Sequence, residues 1–97
     1  MTTLTARTAH GTFTRTTDAP YTHVVVRSSP WAQKILREYN EGNTGLLKCQ
    51  AYRRFIADGG VLVTWHKGEA AAQAAAAKKP VYDADNAVLL GVFPVEA

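Results

Sequence analysis

Two runs rich in β-branched and aromatic residues constrain this chain more than any other feature: Thr12-Phe13-Thr14-Arg15-Thr16 and Tyr21-Thr22-His23-Val24-Val25-Val26. Such side chains suit a pleated, half-buried surface and lose rotamer freedom in a helix. Between the runs sits Thr17-Asp18-Ala19-Pro20, where Asp18 can hydrogen-bond its own backbone and Pro20 has no donor for a ladder. The pattern predicts a β-hairpin over Gly11 to Arg27. A turn centred on Asp18 and Ala19 sets Phe13 against Val24, Gly11 against Val26 and Arg15 against Thr22 on an apolar face. The other face then carries Thr12 with Val25, Thr14 with His23, Thr16 with Tyr21 and His10 with Arg27.

The residues before this stretch, Met1 to Ala9, are Thr-rich and without apolar periodicity, and they read as a flexible lead-in outside the core. After it, Ser28-Ser29-Pro30 is a helix start, because a serine oxygen can accept an early backbone N–H and proline is tolerated at the first position. Trp31, Ile35 and Tyr39 then share one face, predicting an amphipathic helix from Pro30 to Asn40. Leu47, Ala51 and Phe55 form a second stripe over Leu46 to Ala57, stopped by Asp58-Gly59-Gly60.

Val61 to His66 alternates as a strand, with Val61, Val63 and Trp65 on one side and Leu62, Thr64 and His66 on the other. The alanine-rich Glu69 to Lys79 is a strong helix former, and Pro80 ends it. Ala87 to Val95 is apolar on both alternating sets, which predicts a strand buried on two faces. The resulting expectation is an α+β fold of order β-β-α-α-β-α-β, with a four-stranded mixed sheet and helices packed on at least one face. A chain of 97 residues suits one domain, residues 1 to 97, and 46% hydrophobic with 20% charged residues suits a globular one.

The strings TFTRTTDAPYTHVVV and GGVLVTWHKGEAAAQAAAA resemble segments of small uncharacterised proteins carried by actinobacterial phages. The resemblance covers about half the chain and brings no catalytic residues with it. It implies an accessory protein acting in the host cell cytoplasm. A cytoplasmic setting also fits the single cysteine, Cys49, which cannot form an internal disulfide. No apolar run approaches the roughly 20 residues that span a bilayer, and the first ten residues lack a signal-peptide core.

Charge is distributed unevenly. Residues 1 to 54 hold eight Lys or Arg against three Asp or Glu, whereas residues 55 to 97 hold three against five. The basic front half is therefore the expected contact for an acidic partner. Catalysis and metal binding find little support in the residues. In the predicted hairpin His10 and His23 lie roughly 13 Å apart at a strand's rise per residue, and no ligand-pair spacing joins His66 to Cys49. Asp83 and Asp85 open no calcium loop, since Val88 stands where its glycine belongs and Pro94 where its glutamate does. Cys49 has no base beside it in the sequence, and no phosphate loop occurs.

A non-enzymatic binding protein without cofactor or metal is thus the expected function, with a bacterial host protein as the first partner. Self-association into a homodimer would cover a doubly apolar last strand. Nucleic acid is the alternative, because arginines and lysines alternate with Phe13, Tyr21, Trp31 and Tyr52 in the basic half. The candidate contact residues are Tyr21, His23 and Arg27 on the hairpin, with Arg37, Arg53 and Arg54 on the helical pair.

Overall fold

A computed structural model describes residues 1–96. The chain is α+β: strands β1 (Thr2–Thr8), β2 (Gly11–Thr17) and β3 (His23–Ser28) are followed by helix α1 (Pro30–Asn40) and a 3₁₀ turn at Thr44–Lys48. Helix α2 (Gln50–Ala57), strand β4 (Val61–His66), helix α3 (Glu69–Ala76) and strand β5 (Val88–Pro94) complete it. The strands form two antiparallel sheets, β1-β2 and β4-β3-β5. The expected single four-stranded mixed sheet is therefore replaced by five strands in a two-stranded and a three-stranded layer.

The expected hairpin is where the structure departs furthest from the sequence pattern. β2 does not pair with β3; it pairs with β1, placing Phe13 against Ala6 and Arg15 against Leu4. The Thr-rich lead-in is thus a strand, closed by the two-residue link Ala9-His10, in which Thr8 Oγ1 accepts from the His10 N–H at 3.0 Å and donates to the Gly11 carbonyl at 2.8 Å. Thr17 to Thr22 instead carries the chain from one sheet to the other, with the Thr17 hydroxyl accepting the Ala19 N–H.

The physical reason lies in Val24-Val25-Val26, each fully buried. A run apolar on both faces needs cover on both faces, and the central position of a three-stranded sheet provides it. β3 takes that position, between β4 and β5. Val24 and Val26 join Ala6, Phe13 and Trp65 in a core between the two sheets. On the far side, α3 crosses all three strands of the larger sheet, with Ala72 fully buried. Nearby, Ala32, Ile35, Phe55 and Leu62 form a second core under α1 and α2. Burying one ring such as Phe13 contributes about 1.5–3 kcal/mol.

β5, expected to be buried on two faces, is an edge strand whose first residues Val88 and Leu89 are exposed. It carries a bulge: Val26 faces Gly91 but Arg27 faces Leu89, which leaves Leu90 as the extra residue. The predicted bounds of α1 hold, and Ser29 caps it by accepting the Ala32 N–H. α2 starts later than its apolar stripe, because Thr44–Lys48 winds as 3₁₀ and Cys49 is extended. The Asp58-Gly59-Gly60 stop is real. Gly60, at φ +82°, returns its N–H to the Phe55 carbonyl at 2.8 Å.

Candidate functional site

β4 is the other edge of the larger sheet. It pairs with β3 on one side, and among the described residues no backbone or side-chain hydrogen bond reaches its other side. Two grooves flank that free edge. The larger, of about 620 Å³, is lined by Leu62, Val63 and Thr64 of β4, by Arg54 and Phe55 of α2, and by the segment from Ala75 to Tyr82. The smaller, of about 570 Å³, is lined by Val63, Thr64 and Trp65 together with Thr14, Arg15 and Thr16 of β2. Gln50 and Arg54 line both, so the two grooves adjoin at the middle of the strand.

The lining is cationic and rich in donors. Lys78 and Lys79 line the larger groove with Arg27 and Arg54, and among the described residues Asp58 is the only carboxylate there. Arg54 Nη2 lies 3.5 Å from Asp58 Oδ2 but is buried without a hydrogen-bond partner. Trp65 Nε1 is likewise buried and unpartnered, on a residue only 8% exposed that lines the smaller groove. An indole N–H can only donate, and leaving such a group unsatisfied costs about 1–3 kcal/mol. Burial pushes the Asp58 carboxyl above its ordinary value, and the Arg54 charge partly offsets this.

Of the residues singled out in the sequence, Arg54 and Arg27 line the larger groove. Their roles differ. Arg27 is only 5% exposed and spends Nη2 on two carbonyls, Ala75 O at 2.8 Å and Lys78 O at 3.0 Å, so it tethers the end of α3 rather than presenting a free cation. Its expected place opposite His10 is also overturned, since it faces Leu62 and Leu89. Tyr21 packs against the inter-sheet core, its ring tilted against Trp65, with the Arg15 guanidinium 5.0 Å above it. Arg37 and Arg53 are exposed and line neither groove.

His23 does not face Thr14. It sits directly across the ladder from His66, a juxtaposition that no local spacing in the sequence could announce. The His23 ring meets the Thr22 hydroxyl and the His66 ring meets the Thr64 hydroxyl, each at 2.8 Å. Burial, reinforced by the Arg27 charge, holds the His66 pKa below its ordinary value. His10 lies elsewhere, at the tip of the β1-β2 hairpin, edge-on to Phe93.

Cys49 is exposed at the N-terminus of α2 and lines neither groove. Among the described residues no three His, Cys, Asp or Glu side chains gather closely enough to hold a metal ion. No helix of the described residues is long and apolar enough to cross a membrane.

The grooves' other residues escaped the sequence reading for identifiable reasons. Lys78 and Lys79 belong to the acidic back half, and Trp65 reads as an ordinary core residue. Arg15 joins them only because β2 crosses to the other sheet. No family model, curated protein or solved structure matches the chain.

Proposed function

We propose that this chain is a non-enzymatic accessory protein of phage type that binds a host macromolecule, and that the macromolecule is a bacterial host protein. The observation that carries this reading is the free edge of β4, flanked by two grooves with unpartnered donors at Arg54 and Trp65. An edge strand left open is normally blunted or covered, and a protein partner is a natural cover. The phage-like sequence strings support a host partner over a housekeeping one. Arg54 stays in the contact set, Lys78, Lys79 and Arg15 join it, and Arg27 serves as internal support.

Nucleic acid is the weaker reading because the rings a base would stack on are occupied. Phe13 is buried, and Trp31, Tyr52, Phe55 and Tyr82 pack against one another. Tyr21 already carries Arg15 over its face.

The test is affinity capture from a bacterial lysate with the wild-type chain and with Arg54→Glu, followed by binding of the purified captured protein. The reading expects one partner that binds directly and is lost in the variant. A partner retained by Arg54→Glu would remove this site. Salt-sensitive binding of mixed-sequence DNA or RNA, weakened by the same variant, would move the function to nucleic acid.

A further inference from the structure

We infer that the free edge of β4 takes an extended peptide of the partner, alternating apolar and acidic residues, as a fourth strand of the larger sheet; this rests on the protein-binding reading above. Three observations lead there. First, a six-residue strand with no bond to its outer side presents main-chain donors and acceptors at the spacing of another strand. Second, an added strand sends successive side chains to opposite faces of the sheet, and here each face has its own groove.

The two grooves differ in chemistry, which is the third observation. The one on the helix side has a wall of Phe55, Leu62, Val81 and Tyr82 that suits apolar side chains, beside the cations Arg54, Lys78 and Lys79, which favour an acidic peptide. The one toward β2 is lined by threonines with Arg15, Arg54 and the Trp65 indole, and it offers donors and positive charge. Trp65 Nε1 has no hydrogen-bond partner, and Arg54, which lines both grooves, has at Nη2 only the Asp58 carboxylate at 3.5 Å, so an incoming carboxylate supplies acceptors for both kinds of donor. Alternation along the peptide therefore matches alternation across the edge. Arg54 has a double part: its charge guards the open strand against non-specific pairing, and a partner carboxylate satisfies it. The strand's length sets the peptide at about six residues, or about 20 Å.

The experiment is a fluorescence-polarisation titration of the intact protein with a labelled peptide of alternating leucine and glutamate, about seven residues long. The expected result is saturable binding that weakens with salt. It should fall about tenfold or more when alternate peptide amides are N-methylated, because the ladder loses its donors. Replacing glutamate by lysine should abolish it. Arg54→Gln, at a half-exposed position, should weaken it about tenfold, and Trp65→Phe should weaken it several-fold while preserving the ring. Amide hydrogen exchange of β4 should slow on peptide addition.

The inference is overturned if the N-methylated peptide binds as tightly as its parent, if the lysine peptide binds equally, or if β4 exchange is unchanged at saturation. It is also overturned if no peptide binds while a captured host protein still depends on Arg54. In that last case the broader reading stands and only the strand-addition mode fails.

Discussion

The Ser29 hydroxyl donates to the Asp83 carboxylate at 2.7 Å across 54 residues of sequence, while accepting the Ala32 N–H at 3.1 Å. One fully buried serine thus caps α1 and anchors the loop that leads into β5. Asp83 also accepts from the Trp31 N–H and sits at φ +53°, a left-handed conformation held by these contacts and by the Asn86 and Ala87 N–H groups on its carbonyl. This loop continues the Ala75 to Tyr82 wall of the larger groove, so the cap supports the proposed peptide site from behind. Ser29→Ala should cost about 1–2 kcal/mol of stability, read by urea denaturation.

The Asp83 carboxyl is held below its ordinary 3.8, chiefly by the Ser29 hydrogen bond, against a smaller desolvation that raises it, with Trp31 and Asn86 adding to the lowering. A depressed carboxylate stabilises the fold above its unfolded value and loses that contribution as pH falls through the folded one. Asp83→Asn should therefore be less stable than wild type at neutral pH. The difference should shrink as pH falls below 3.8 and through the lower folded-state value, followed by denaturant midpoints across the range.

Arg27 joins β3 to the C-terminal end of α3 through the Ala75 and Lys78 carbonyls. Cations are favoured at that end of a helix, and one guanidinium nitrogen, Nη2, donates to both carbonyls. Arg27→Met should destabilise by about 2–3 kcal/mol. Arg27→Lys should recover only part of this, since lysine's flexible stem does not hold its ammonium in the fixed plane of the guanidinium. Thermal unfolding of the two variants beside wild type measures the ordering.

Asp58 closes α2 with a side chain only 6% exposed, and its carboxyl is pushed up from 3.8 by burial, with Arg54 opposing. A raised carboxylate favours the fold while protonated; that contribution is complete below the unfolded value and lost as pH rises through the folded one. A negative charge at a helix C-terminus adds to the cost. Asp58→Asn should therefore gain stability at neutral pH relative to wild type, with the gain shrinking in acid. Chemical denaturation at two pH values decides it.

Gly91 sits opposite Val26 beside the β5 bulge, and a Cβ there would lie 2.9 Å from Phe93 Cζ and 3.1 Å from Cε2. The Phe93 ring packs on the inter-sheet core and meets His10 edge-on, so it has little room to withdraw. Gly91→Ala should cost about 1–3 kcal/mol by overpacking. A double variant with Phe93→Leu should recover part of the loss, which a backbone effect alone would not allow.

The elements whose information is local were legible. α1 begins at its serine cap and proline and ends at Asn40; α2 stops at Asp58-Gly59-Gly60; β4 alternates as its residues do. The Thr2–Thr8 strand was overlooked because seven residues with four threonines read as polar, although Leu4 and Ala6 stand two apart and turn to the same core. In α3 the lysines expected in the last turn lie beyond it, and Arg27 supplies the terminal cation from another element.

Strand partners were a different matter, for a physical reason. β2 and β3 each prefer extended backbone, but propensity does not say which edge meets which. The short Ala9-His10 link favours β1 as the partner of β2, and the valines of β3 need cover on both faces. Likewise, of the residues that line the candidate site, only Arg27 and Arg54 were legible as contact candidates. Trp65 lies on β4 itself, whereas Arg15 and the pair Lys78-Lys79 come from two other parts of the chain, and only the stacking of two sheets and the path after α3 bring these beside β4.

Sequence alone determined α1, the end of α2, the core of α3 and the extended runs after Ala9, because caps, glycines and apolar spacing act within a few residues. Tertiary structure decided that β3 lies at the centre and β4 at an open edge. That outcome depends on competition among strands for burial and hydrogen bonds, a property of the whole chain that no single segment encodes.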